Sequence, residues 1–442
     1  EITTGDWSSD VCSSDLLCTP QTSTTMQGVA PTFPAFGTWT LLSGSATIVD
    51  PNDPNTAITD LGVGENVFLW TIDNGPCENS GSIDVVSIFV FDGNNADANA
   101  GADQELCTPN IATTTLQGSP VTFPAVGTWT LVSGTGTIAN PNDPNTVVFD
   151  ISIGESIFAW TVDNGPCANG ITTDQVSVRV FDENNVLANA GSDQQLCTPI
   201  ASVQLSGSPV TFPAVGTWTL VSGTATITDP NDPNTTLTNV GVGVCVLEWT
   251  VDNGPCANGT TNDQVTITLF DENNPVANAG ADQELCSSDA NTTLEGSNVI
   301  FPAVGTWTLV SGTGTVVDPN DPNSAVTGLG IGENILQWVV TNGPCANAQT
   351  TDVVSIFVFD ENNLDADAGP DQEVCTPLTE ATLAGSPVIF PAQGTWTLMS
   401  GQATITDPND PNTTVTNLGV GTNILEWTVY NGGCANQTTT DQ

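Results

Sequence analysis

A cysteine recurs every 89 or 90 residues in this chain, at Cys18, Cys107, Cys197, Cys286 and Cys375, and each is followed by nearly the same text. Self-similarity at a fixed period restricts the fold more than any composition can, because a single domain has to account for every copy. Each copy holds FPA, then GTWT with a first tryptophan (Trp39, Trp129, Trp218, Trp307, Trp396), then a Pro/Asn/Asp loop. A second tryptophan (Trp70, Trp160, Trp249, Trp338, Trp427) and a second cysteine follow. A catalytic site is normally built once, whereas near-copies in tandem suit a stalk, a spacer or a multivalent binder. The expectation is a mechanical or adhesive role.

Residues 1–16 stand outside the array. Asp6 to Leu16 reads DWSSDVCSSDL, which resembles a translated sequencing-library adapter. Trp7 and Cys12 therefore take no part in the fold argument. The repeats then divide as 17–95, 96–185, 186–274, 275–363 and 364–442. The first is expected to lack its opening strand, because the ANAGADQE text before Cys107 has no counterpart before Cys18. The fifth is expected to lack its closing strand, since the text stops at Gln442 where VTITLF follows in the third copy.

Forty-nine Asp and Glu stand against one basic residue, Arg179, and there is no histidine. Such a surface repels nucleic-acid phosphates and anionic lipid heads, so neither is an expected partner. Without His or Lys, no Ser-His or Cys-His pair can be assembled, and the reading is of a chain that is not an enzyme. A hydrophobic fraction of 38% with ten array tryptophans suffices for real cores. No run of about eighteen apolar residues occurs, so no membrane insertion is expected within this stretch.

The cysteines fall into the pairs Cys18 and Cys77, Cys107 and Cys167, Cys197 and Cys256, Cys286 and Cys345, and Cys375 and Cys434, always 59 or 60 residues apart. One disulfide per repeat is the economical reading, and it implies an oxidising, extracytoplasmic setting. Two thiols and no histidine per repeat cannot complete a tetrahedral zinc site. Cys245 is an odd thiol in the place of Asn66, Ser156, Asn334 and Asn423, read as free or as an interchain link.

In the third copy, Ser202 to Leu205, Gly216 to Val221, Ala225 to Thr228, Thr235 to Val240, Val244 to Val251 and Gln264 to Phe270 form short runs separated by Gly, Pro, Asn and Asp. With an edge strand before the first cysteine, this predicts about seven strands and an all-β, immunoglobulin-like sandwich. Alternation puts Trp218 and Leu220 on one face, and likewise Leu247, Trp249 and Val251. Asp252-Asn253-Gly254 predicts a tight reversal between the two longest strands. The FPA phenylalanines Phe33, Phe123, Phe212, Phe301 and Phe390 are expected to plug the end of each sandwich.

The strings ANAGADQELC, GTWTLVSGTGT, NPNDPNT, IGENILQW and NGPCAN resemble the PKD-like, immunoglobulin-type repeats of large secreted bacterial surface proteins that use type IX secretion and gliding. The resemblance covers residues 17–442. It implies export and a place among adhesins, cell-surface fibres or accessory regions of secreted hydrolases, and it supplies no binding residue.

Two acidic motifs remain. FDGNN or FDENN closes four repeats, at Asp92 and Asn94, Asp182 and Glu183, Asp271 and Glu272, and Asp360 and Glu361. Each is followed by an AGxDQ aspartate: Asp103, Asp193, Asp282 or Asp371. Oxygen ligands bunched between domains suit calcium, which takes six to eight of them, so Ca2+ is the candidate cofactor. The alternative is a solvated linker with Asx turns. The DPNDPN loops (Asp50 to Asn55 and its counterparts) read as rigid turns. The chain is thus read as a non-enzymatic extracellular stalk of a bacterial surface adhesin, five sandwiches spanning roughly 150 to 200 Å in line. The rival is a multivalent binder of a glycan or extracellular surface, which exposed aromatics repeated in every copy would favour.

Overall fold

The computed structural model describes residues 16–76, 81–109 and 113–442. Among these, regular structure is β strand apart from one turn of 3-10 helix at Ser287–Asp289. By internal contacts the chain falls into two compact units. One runs to Asn189 and includes Ser208–Thr217 and Trp249–Asp263; the other comprises Ala190–Gly207, Trp218–Glu248 and Gln264–Gln442.

The second repeat, in the first unit, shows the design. Its strands are β1 (Gln104–Cys107), β2 (Thr113–Thr115), β3 (Val126–Ser133), β4 (Thr137–Ile138), β5 (Val147–Phe149), β6 (Gly154–Asp163) and β7 (Ile171–Phe181). One sheet has the order β3-β6-β7-β1 and the other β4-β5-β2. β1 runs parallel to β7, with Cys107 opposite Phe181. Seven strands in two such sheets make an immunoglobulin-like sandwich. The first and fourth repeats have the same sheet orders, so the chain is a tandem array of this fold.

Alternation on the long strands builds the core. Phe158, Trp160 and Val162 of β6 and Val176, Val178 and Val180 of β7 are buried, and they meet Leu116, Trp129 and Val148 from the other elements. Trp129 and Trp160 are directly opposite across β3 and β6, their rings 5.0 Å apart. The GTW motif follows from this pair: a Cβ on Gly127 would overlap the ring of Trp160. Truncating one such tryptophan to alanine typically costs about 3–5 kcal/mol.

The DPNDPN loops are turns. In the first copy the Asn52 and Asn55 N–H groups donate to Asp50 and Asp53 carboxylates at 3.0 and 2.8 Å, and Asn52 Nδ2 reaches the Gly37 carbonyl at 2.9 Å. Those aspartates are occupied in holding the loop.

Several expectations need correction. Leu220 does not share the buried face of Trp218: it and its counterparts Leu131 and Leu309 are 39% exposed. The register slips just beyond Leu131 and Leu309, so the strand turns away from the core after its tryptophan. The opening strand of the first repeat is present, as Leu16–Cys18 paired with Phe89–Phe91. The strand is made by the residues next to the cysteine rather than by the absent text, and it includes Leu16. The fifth repeat keeps only Thr438–Asp441 of its closing strand. Gln372–Cys375 forms no strand there and lines a cleft of about 870 Å³ with Leu425 and Gln442.

Candidate functional site

What every pair of successive repeats shares is a joint. At its heart is the turn between β6 and β7, Asn164-Gly165-Pro166-Cys167, expected from the sequence as a tight reversal carrying a disulfide cysteine. Phe91 ends the closing strand of the first repeat, and its ring lies over Gly165, whose Cβ would come within 2.6 Å of it. Gly165 also has φ +56°, so glycine is required twice over. Phe91, Ala125 and Cys167 form a small buried core between the two repeats.

Asparagines bracket that core. Asn164 Nδ2 donates to the Asp92 carbonyl at 3.0 Å and to Asn169 Oδ1 at 2.9 Å. Asn169 Nδ2 donates to the Asn95 carbonyl at 3.0 Å, and Asn95 Oδ1 accepts the Thr122 N–H at 3.1 Å. Every partner is a group of the neighbouring repeat or of the turn itself, so the bonds fix the angle at which the repeats meet. The same set recurs with Phe181, Ala214 and Asn253; with Phe270, Ala303 and Asn342; and with Phe359, Ala392 and Asn431.

The disulfides belong to these joints. Cys18 bonds Cys167, Cys107 bonds Cys256, Cys197 bonds Cys345 and Cys286 bonds Cys434, with sequence separations of 148 or 149 residues. This overturns the expected pairing inside each repeat. Cys107 lies beside Phe181 at one end of β7, while Cys167 precedes Ile171 at the other end. Eleven strand residues separate the ends by about 35 Å, far beyond the 4.4–6.8 Å between Cα atoms that a disulfide tolerates. Each bridge instead ties the opening strand of one repeat to the β6–β7 turn of the next. Cys375 is unbonded and exposed, and Cys77 lies outside the described residues.

Cys245 is unbonded but only 1% exposed, so it offers no thiol to another chain. The aromatics are also reassigned. The FPA phenylalanines are 61–93% exposed and plug nothing, whereas Phe91, Phe181, Phe270 and Phe359 are 2–8% exposed. The turn bond from Ala125 N–H to the Thr122 carbonyl directs Ala125 onto Phe91 and leaves Phe123 largely exposed, its ring edge-on to Phe89 at 6.3 Å.

The acidic residues fall in two separate places. Asp92, Asp182, Asp271 and Asp360 accept the N–H of Asn94, Asn184, Asn273 and Asn362 at 2.9 Å, which is an Asx turn. Glu183, Glu272 and Glu361 are exposed beside these turns. Asp103, Asp193 and Asp282 instead accept the N–H of Ser177, Thr266 and Ser355 at 2.8 Å, and Asp371 is exposed in the fifth repeat. Ala98, next to the joint, is anchored to Thr172, five residues earlier on β7 than Ser177. Asp103 therefore lies about 16 Å along the strand from the joint. Among the described residues no three His, Cys, Asp or Glu side chains gather as a metal-holding group. Arg179 pairs with Glu155 at 3.0 Å; the Ser177 hydroxyl first, and then Arg179, hold that carboxyl below its ordinary 4.5.

The array of disulfide-rich immunoglobulin-like sandwiches defines a class of extracellular protein. No known family profile matches the chain. A curated mouse (Mus musculus) protein, the dyslexia-associated protein KIAA0319-like protein, is 31% identical over 193 residues, which are 40% of this chain and 18% of that protein. The chain thus spans less than a fifth of that relative's length. Among solved structures, the human desmocollin-1 ectodomain is similar over 96% of each chain, at 10% identity and a TM-score of 0.21. Immunoglobulin domains 1–5 of Sidekick-1 are similar over 95% of this chain and 94% of theirs, at 11% identity and a TM-score of 0.26. The PKD domain from the KIAA 1837 protein is similar over 21% of this chain and 94% of its own, at 26% identity and a TM-score of 0.18. The fold assignment rests on the sheet orders, not on these scores. No helix among the described residues is long and apolar enough to cross a membrane.

Proposed function

We propose that this chain is a non-enzymatic stretch of extracellular stalk, part of a large bacterial cell-surface adhesin or fibre. The observation that carries the reading is the joint itself, built four times from the same phenylalanine, alanine, asparagines and disulfide. A protein selected only for separate binding modules has no need of a fixed angle between them. The joint is made of protein groups, with each Asx-turn aspartate accepting the turn N–H through a single oxygen, and on this reading its stiffness comes from those groups, with calcium as the alternative. Small-angle scattering on the whole chain tests this in calcium, in chelator and in reductant. The expected result is one extended profile in the first two and a more flexible chain in the third. A chain that is flexible while oxidised would sink the stalk, and one that stiffens only with calcium would restore the cation.

A second reading, a multivalent binder of glycans or surface polymers, is favoured by one observation. Phe33, Phe123, Phe212, Phe301 and Phe390 stand exposed in every copy. Glycan-array binding that disappears when all five are replaced by serine would establish it, and an array negative for the parent chain would remove it.

A further inference from the structure

The four bridges overlap. The loop closed by Cys107 and Cys256 shares residues 107–167 with the loop closed by Cys18 and Cys167, and residues 197–256 with the one closed by Cys197 and Cys345. The bridge between Cys286 and Cys434 overlaps the last in the same manner. A covalent route can therefore pass from bridge to bridge without following the whole backbone.

From Cys18 the first bridge leads to Cys167. The 30 residues on to Cys197 reach the next bridge and so Cys345, and another 30 reach Cys375. Fully drawn out, these two segments span about 200 Å, against roughly 1,200 Å for the whole backbone between the same two cysteines. A second route interleaves with the first, from Cys107 to Cys256, along to Cys286, and across to Cys434.

We infer that the bridges form two interleaved covalent tethers that carry tension past the sandwich cores and cap the extension of the chain. This deepens the stalk reading and takes its purpose from it, while the connectivity stands by itself. Along either tether the cores lie off the route: in the second repeat β2 to β6 are bypassed. What lies on the route is the closing strand, the Asx turn and the next opening strand. The closing strand is held on both sides, β7 pairing with β6 along ten residues and with β1 along four. A pull along its axis is carried by the strand itself, and the rungs keep it seated in its sheet. The arrangement is also redundant. With any one bridge removed, a covalent route of no more than about 144 residues still joins residue 1 to residue 442.

Single-molecule stretching of the whole chain, held by peptide handles at its two ends, tests the inference. End to end, the load must cross once from one tether to the other through a core: with all four bridges the shortest route covers residues 1–18, 167–197, 345 back to 286 through the fourth repeat, and 434–442, about 114 residues or about 400 Å. The same molecule in reductant should reach about 1,500 Å, a roughly fourfold change in final contour length. The Cys197→Ser chain, oxidised, should stay below about 500 Å. An oxidised chain that extends as far as the reduced one, or that releases whole repeats of 89 or 90 residues in steps, overturns the inference. Failure here would leave the stalk to the scattering experiment, and a flexible chain in scattering would leave the tethers intact.

Discussion

Cys245 shows how much one residue can lose at a fixed place. In the first, fourth and fifth repeats an asparagine there accepts a backbone N–H, from Ser45, Thr313 or Gln402 at 2.8–2.9 Å, and donates to the carbonyl of Gly62, Gly330 or Gly419. Cys245 can replace neither bond. Cys245→Asn is expected to stabilise the chain by about 1 kcal/mol in equilibrium denaturation. Burial pushes the Cys245 thiol above its ordinary 9.0. The unfolded chain gives up this proton first, so the neutral buried thiol stabilises below that value and its contribution fades as pH climbs through the raised one. Tyr430 offers a cleaner titration, because the chain has a single tyrosine. Its hydroxyl donates to Glu284 of the preceding repeat at 2.7 Å, and that bond, then burial and the Glu284 charge, raise it above 10.0. Phenolate absorbance should therefore appear later than for a free tyrosine, and Glu284→Gln should bring it back. The contact is present below the raised value and lost above it. A midpoint at or below 10 in the parent chain would contradict the geometry.

At the scale of elements, the strands were legible in the sequence because alternation and turn residues act locally. Leu247, Trp249 and Val251 are buried as expected, and the Asp-Asn-Gly reversal joins the two longest strands. The joint was not legible. Phe181 follows Val180 on β7, so alternation points it away from its own core, and only the next repeat buries it. Proximity of Phe181 to the recurrent Asn-Gly turn is the one signal that pointed there, and it needs the fold to be read. Gly254 carries the consequence: its Cβ would come within 2.6 Å of the Phe181 ring, at φ +53°. Gly254→Ala should cost about 1–3 kcal/mol. The loss should appear as faster hydrogen exchange of Asn253 and the N–H groups around it, with little change at Trp160.

For the whole molecule, the disulfide pairing was hidden by the periodicity that revealed everything else. In a strict repeat, a spacing of 59 or 60 residues recurs as regularly as one of 148 or 149, so regularity cannot say whether a cysteine pairs within its repeat or with the next. The single basic residue decides it cheaply. Trypsin can cut only after Arg179, and Cys107–Cys256 is the one described bridge that spans that cut. After digestion in denaturant with free thiols blocked, the two fragments should stay together on a non-reducing gel and separate on reduction. Pairing inside each repeat would let them part without reductant.

The staggered bridging also sets the pace at which such a chain can mature. A ribosome or export channel delivers the polypeptide from its N-terminal end, and Cys107 is out long before Cys256 exists to meet it. Each opening-strand thiol must therefore wait, reduced and without its mate, while a further 148 or 149 residues are delivered. Oxidation then travels behind the emerging chain as a wave about one and two-thirds repeats in its rear. An oxidising catalyst that acted too early would find the earlier turn cysteines as the available mates, so the timing of thiol chemistry is as much a part of this fold as its sheets.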